Sequence, residues 1–312
     1  MASKFWEHFI YIARAMNHMG DDGMCLWDEQ DGFFYDVLHT AKGERIPMRV
    51  HSMVGLIPLY AVQIMEPELL EKMPAFERRL HWFIENRPDL TGNIASMHTH
   101  GHEDRRLFSI VTSEQLRRIL TVMLDESEFL SNYGIRALSR YHQDHPFSME
   151  AAGMLHSVNY EPGESTTGLF GGNSNWRGPI WMPVNYLLTQ ALRRFCQYYN
   201  DSFQIECPTG SGCMMNLDDV ADEITHRLVN LFRKDSDGLR PVLGGNNKIQ
   251  SDPNWRDYLP FNEYFHGDNG CGLGASHQTG WTALVVSMIY ELAEKQDSKK
   301  SQSVSAIPAR GD

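Results

Sequence analysis

Apolar residues recur at helical spacing in about seven segments of this 312-residue chain, and nowhere does a strand pattern alternate with a helix pattern. That periodicity limits the fold to an all-α class with elaborate loops. Residues 3–18 place Phe5, Phe9, Ile12 and Met16 on one helical face behind a Ser3 cap, and residues 51–65 are apolar nearly all round, as in a buried helix. Residues 74–86 start on Pro74 at the first helical position, 113–124 on a Ser113 cap, and 183–199 on Pro183. Residues 216–233 carry Asp218 and Asp219 in a first turn, and 278–295 complete the set. Two short aromatic runs, 32–39 and 240–244, read as small strands. From Asp297 the chain is rich in Ser and Lys without aromatics and reads as a disordered tail.

The connectors between these helices are long and rich in Gly, Trp, Asn and Asp, which marks them as functional. GGNSNWRGPIWMPVN (171–185) is the extreme case: Trp176 and Trp181 can each bury about 200 Å², so they require either a ligand or a core against them. WDEQDGFFYD (27–36), DPNWRDYLPFNEYFHGDNG (252–270) and GASHQTGW (274–281) have the same character. Sugars present apolar C–H faces and dense hydroxyls together, so their sites combine aromatic platforms with charged and amide groups. Taken singly, each aromatic is as readily a core anchor, and a lone acid such as Asp36 is as readily a cap or ion-pair partner.

Charge narrows the partners. With 40 acidic against 28 basic residues the net charge is −12, which disfavours nucleic acid and anionic membrane surfaces. Five dispersed cysteines without zinc spacing, and a first segment that is neither a signal peptide nor a membrane span, point to a cytoplasmic protein with reduced thiols. His98, His100 and His102 could share a strand face, but no fourth ligand is evident, so no metal is expected. Phosphate-binding glycine motifs are absent, and no cofactor is expected. His266 and His277 fit sugar contacts better than metal ligation. Glu263, set among Phe261, Asn262, Tyr264 and Phe265, would need nearby donors such as Arg or His to stay ionised as a base.

The runs GGNSNWRGPIWMPVNYLL (171–188), ECPTGSG (206–212) and NEYFHGDNGCGLGASHQTGW (262–281) resemble the C-terminal catalytic part of glycoside hydrolase family 63, especially its bacterial and fungal processing-glucosidase-like members. LWDEQDGFFYDVL (26–38) and SMVGLIPLYAV (52–62) resemble the segments that precede it there. Trehalases and mannosylglycerate hydrolases are relatives on the same scaffold. The resemblance implies an (α/α)6 toroid of six-hairpin glycosidase type over residues 1–296, acting on α-glucosides or related glycosides with inversion. In that chemistry one carboxylic acid protonates the leaving oxygen and one carboxylate activates water, about 6.5–9.5 Å apart.

Glu263 matches the family's base. Asn175, Trp176, Arg177 and Trp181 match positions around the scissile bond, with Arg177 expected to hold hydroxyls in its fork. Tyr264 and His266 sit in the same motif as the base, and Trp27, Asp28, Tyr35, Asp36, His277, Gln278 and Trp281 are further pocket residues by the same resemblance. The family's acid lies on a Gly/Ser-x-Asp loop upstream of everything matched here, and nothing in the motifs supports Asp28 in its place. A toroid needs about a dozen helices where periodicity finds about seven, so the chain is expected to be a C-terminal portion whose partner is an N-terminal half of the same enzyme. A non-hydrolytic carbohydrate-binding fragment is the alternative. A prenyl-transfer scaffold on a similar ring would need aspartate-rich metal motifs that the chain lacks.

Overall fold

The computed structural model describes residues 2–17, 25–92, 94, 99–151, 153–166 and 176–305. Its helices are α1 (Ala2–Asn17), α2 (Pro67–Glu71), α3 (Pro74–Asn86), α4 (Pro88–Thr91), α5 (Ser113–Met123), α6 (Met182–Tyr199), α7 (Leu217–Asn230), α8 (Asn247–Ser251), α9 (Thr279–Thr282) and α10 (Leu284–Ser305). Between them, among the described residues, lie seven two-stranded antiparallel ribbons. The helices with short strands expected from the sequence are present, and the strands are more numerous than the two aromatic runs indicated. The reason is that the long connectors bury part of their backbone and must pair it.

Helix α6 packs along α7, and α10 lies against both. The junction is closed by ions: Lys295 on α10 donates to Asp218 at 2.6 Å and to Asp222 at 2.9 Å, and Arg193 on α6 reaches the same two acids at 2.8 and 2.9 Å. Burial pushes the Asp218 carboxyl up, and the hydrogen bonds from Lys295 and Arg193 more than offset it, leaving the group below its ordinary value.

Local signals located several elements. Helix α3 starts on Pro74, and α7 starts after Asn216, whose side chain caps Asp218 and Asp219. Strands at Phe33–Phe34 and Asp36–His39 occupy the first aromatic run. Other expectations are corrected. In α1 the buried face is Trp6, Ile10 and Ala13, while Phe5 is 69% exposed, Ile12 is 54% exposed and Ser3 lies inside the helix. Both stripes have helical spacing; Trp6 wins because it meets Phe83 edge-on at 4.9 Å in the core under α3.

Residues 51–65 are a 3₁₀ turn, Met53–Tyr60, followed by a strand, Val62–Met65, that pairs with Arg106–Ser109. Pro58 lacks the N–H an α-helix would need, and Gly55 lies so close to the Phe33 ring that a Cβ would be 2.2 Å from it. The cap of α5 is Thr112, one residue before Ser113, in a reciprocal capping box with Gln115. Pro183 is the second residue of α6 rather than its first. Residues Pro241–Leu243 form a 3₁₀ turn closed by Gly244 at φ 56°, not a strand. Helix α10 runs on to Ser305, into the segment expected as a tail, since Lys, Gln and Ser tolerate a solvated helical end; residues 306–312 lie outside the described residues.

What positions the loops is an irregular ribbon of four segments. Ser52 bridges Leu138, Arg136 bridges Ile180, and Ile180 bridges Phe265, all antiparallel, so 52–53, 136–138, 179–181 and 264–266 lie side by side. Asn185, fully buried on α6, locks this ribbon: its Oδ1 accepts from Ile135 N–H at 2.7 Å, and its Nδ2 donates to Ile135 O and Trp181 O at 3.0 Å each. Asn185→Ala strands those buried backbone groups and is expected to cost at least about 2 kcal/mol, seen as a lowered denaturant midpoint at unchanged slope. An unaltered midpoint would show that Asn185 does not lock the ribbon.

Candidate active site

Trp181 occupies the cap position of α6 with extended backbone, φ −113° and ψ 118°, and no side-chain cap bond. Its indole therefore points across the ribbon, not along the helix. Trp176 stacks on it at 3.9 Å with 5° between the planes, Tyr264 stacks on it at 4.7 Å, and Trp281 tilts against it at 5.6 Å. Trp181 and Tyr264 are buried, Trp176 is half-buried and Trp281 is exposed at its edge, so the stack runs from core to surface.

Glu263 immediately precedes Tyr264 and is half-exposed. Its N–H donates to Ala275 O at 2.9 Å, and its Oε2 accepts from Ala275 N–H at 3.2 Å. The donor that holds the carboxylate in place is thus a backbone amide, where Arg or His had been expected. A second carboxylate stands beside it that sequence reasoning missed: Glu164 accepts from Tyr264 Oη at 2.6 Å and from Gly274 N–H at 3.3 Å. Burial, with the Glu164 hydrogen bond and charge adding to it, pushes the Tyr264 phenol well above its ordinary value, so it stays a donor. Two acids flanking Pro162–Gly163 in NYEPGEST were the available signal for this loop.

Arg177 and Glu161 form a buried pair at 2.5 Å, and Arg177 also donates to Ser165 at 2.8 Å. Thr166 donates to Glu161 through N–H at 3.1 Å and Oγ1 at 2.6 Å. Much of the guanidinium fork that was expected to hold sugar hydroxyls is thereby engaged in fixing the 161–166 loop. A cavity of about 400 Å³ opens beside it, lined by Phe34, Asp36, Trp176 and Arg177 together with aliphatic residues. Glu263 is not among the lining residues; it connects to the cavity through the Tyr264, Trp181 and Trp176 rings.

The other expected site residues divide. Trp27 packs in the core against Phe34 at 5.0 Å, one layer behind the cavity. Asp28 accepts from Arg49 at 2.7 Å and from the Asp31 N–H at 3.0 Å, and Tyr35 donates to Asp31 at 2.9 Å, so both stabilise the 27–35 turn. His266 Nδ1 accepts from Asp268 N–H at 3.1 Å and Asn269 N–H at 3.3 Å, which leaves its hydrogen on Nε2. His277 is exposed and bridges Phe261 through its backbone, and Gln278 caps α9 through backbone bonds to Trp281 and Thr282. Asn175 and His98 lie outside the described residues. Among the described residues no group of three or more His, Cys, Asp or Glu is disposed to hold a metal, and no helix is long and apolar enough to cross a membrane.

Residues 106–282 match the family model of the mannosylglycerate hydrolase MGH1-like glycoside hydrolase domain. The chain is 47% identical over 306 residues to the uncharacterized protein YMR196W of Saccharomyces cerevisiae, covering 94% of this chain and 28% of that protein. It is 30% identical over 178 residues to the mannosyl-oligosaccharide glucosidase of the same yeast, covering 57% of this chain and 15% of that enzyme. Against the probable mannosyl-oligosaccharide glucosidase of Schizosaccharomyces pombe the figures are 29% over 179 residues, 57% and 16%. The chain therefore spans less than a third of the length of the relatives it matches.

Two outcomes follow from this geometry. Gly274 has φ +66°, and a Cβ there would lie 2.7 Å from the Tyr264 ring and 2.8 Å from Glu263 Oε2. Gly274→Ala is expected to destabilise by more than about 1 kcal/mol and to change the tryptophan emission of the stack; wild-type emission and melting together would contradict it. His266 and His142 are both pushed below the ordinary 6.5 by burial, with His142 Nε2 accepting from His51 N–H at 2.9 Å. A depressed folded value means the unfolded chain takes the proton first. Stability is thus full above about pH 6.5 and lost as pH falls from there through the folded values. Thermal melts over that window should decline less steeply in His142→Gln and in His266→Asn; parallel slopes would exclude these histidines.

Proposed function

The chain belongs to the mannosylglycerate hydrolase MGH1-like glycoside hydrolase family, akin to glycoside hydrolase family 63, and from that premise we propose that it carries the base-bearing part of an inverting glycosidase site. The proposed substrates are α-glucosides or related glycosides. Glu263 is the general base: its side chain is half-exposed, is fixed by the Ala275 N–H at 3.2 Å and adjoins Tyr264, the buried end of an aromatic stack whose accessible rings, Trp176 and Trp281, can take a pyranose face. That placement is the observation that carries the reading. Trp176 and Trp281 supply the accessible part of the sugar wall, backed by the buried Trp181 and Tyr264, and Asp36 lines the adjoining cavity. An inverting reaction needs a second carboxyl, protonated, across the glycosidic bond from the base. We assign it to sequence that the longer relatives carry beyond the matched region, together with the remaining helices of an (α/α)6 ring that residues 1–296 complete.

Mechanistically, Glu263 takes a proton from water as the water's oxygen attacks the anomeric carbon. The C–O bond to the leaving group breaks, and the leaving oxygen receives the acid's proton. The Ala275 N–H donates to Glu263 Oε2 and so fixes the orientation of the side chain.

In protein that turns over an α-glucoside, Glu263→Gln is expected to lower kcat by a factor of about 100 or more with KM little changed, as removal of a general base does. Proton NMR of the first-formed sugar should show the β anomer. Near-normal turnover by the variant, or an α product, would reject the assignment.

A further inference from the structure

We propose that the cavity beside Trp176 is an aglycone pocket for an apolar, aryl or alkyl, leaving group, with the glycosyl ring at its mouth beside Trp176 and Asp36. The proposal deepens the glycosidase reading and rests on it for which end of the substrate enters. The walls are Met48, Val50, Met53, Val54, Leu138 and Val158, closed by Phe34 and Trp176.

Polar groups at these walls are already engaged. Ser52 Oγ accepts from Val54 N–H at 3.3 Å, Met53 N–H bonds Ala137 O at 2.8 Å, and Gly55 N–H bonds Ser52 O at 3.0 Å. Arg177 is bound to Glu161 and Ser165 as described. Asp36 alone, among the polar side chains lining the cavity, forms no hydrogen bond or ion pair among the described residues; it is exposed on the Asp36–His39 strand. A pyranose enclosed here would lose several hydroxyl–water bonds and regain one partner, an unfavourable exchange. An apolar ring or chain gains from leaving water and demands nothing of the walls, and a volume of about 400 Å³ admits it. Asp36 then accepts a single hydrogen bond, from a sugar hydroxyl at the mouth.

Binding tests this on the chain itself, without turnover. By calorimetry, phenyl α-glucoside is expected to bind about tenfold or more tighter than methyl α-glucoside. Val50→Asp, which places a charge on a partly exposed wall position, and Val158→Asp on the neighbouring hairpin should each bring phenyl α-glucoside down to the affinity of the methyl glucoside, while Val50→Leu keeps the preference. Equal affinities in the wild type, no binding of either glucoside, or a preference that survives both aspartates would overturn the pocket. A clear phenyl preference in a protein whose Glu263→Gln form turns over normally would instead retain the pocket and reject the proposed base.

Discussion

The structure depends on one backbone exchange. Ile180 N–H bonds Phe265 O at 2.8 Å and Phe265 N–H bonds Ile180 O at 2.9 Å, while Ala137 N–H bonds Pro179 O at 3.0 Å. These bonds satisfy buried peptide groups that no helix or long sheet serves. They also fix the register of three distant segments, so that residue 181 on one and residue 264 on the next project their rings to the same side. Slipping one of these segments by one residue would turn its ring to the other face and part the two. Asn185 adds the helix to the arrangement by bonding Ile135 and Trp181 at once, which joins the start of α6 to the ribbon it follows.

From that exchange the position of each carboxylate follows. The hairpin that pairs Tyr264 with Leu273 brings Gly274 and Ala275 back beside Glu263, and their consecutive N–H groups point at Glu164 and Glu263 respectively. Position 274 takes glycine because its φ is +66° and a side chain there would also collide with Tyr264. The loop that carries Glu164 is anchored at its other side by the buried Arg177–Glu161 pair. Truncating either member would leave a buried charge uncompensated, so the pair specifies the loop's geometry more than it stabilises the fold.

How much of this was legible in the sequence varied with distance along the chain. Helices α3 and α7 were readable because Pro74, and Asp218 with Asp219, are local signals whose physics acts within one turn. The stripe of α1 was not, because Phe5 and Trp6 both sit at helical spacing and only the aromatic partner on α3 decides between them. Residues 51–65 failed for a related reason: an apolar run long enough for a helix also fits a turn followed by a buried strand. In the site, the shared character of the 173–181 and 262–281 loops led to Trp176, Trp181, Tyr264 and Trp281, which do meet. Glu164 escaped because its partners are 100 and 110 residues away and its own segment has no periodicity. Asp28 and Tyr35 carry the right chemistry for a pocket, but their nearest partners, Asp31 and Arg49, claim them for a turn.

An indole-rich loop can serve a ligand or a core, and this chain divides the two roles between neighbouring rings. Trp181 is 1% exposed and belongs to the packing around Ala137 and Tyr264, whereas Trp176 has one face on Trp181 at 3.9 Å and lines the cavity. A ring held by a buried ring loses little rotameric freedom when a ligand arrives, because packing has already ordered it. A single tryptophan on a glycine-rich loop would have to be ordered by the ligand itself. Doubling the indole, and burying one copy, converts a loop residue into a preorganised wall, and the ring on the other side of the buried copy, Tyr264, directly follows Glu263, whose side chain a backbone amide holds in place.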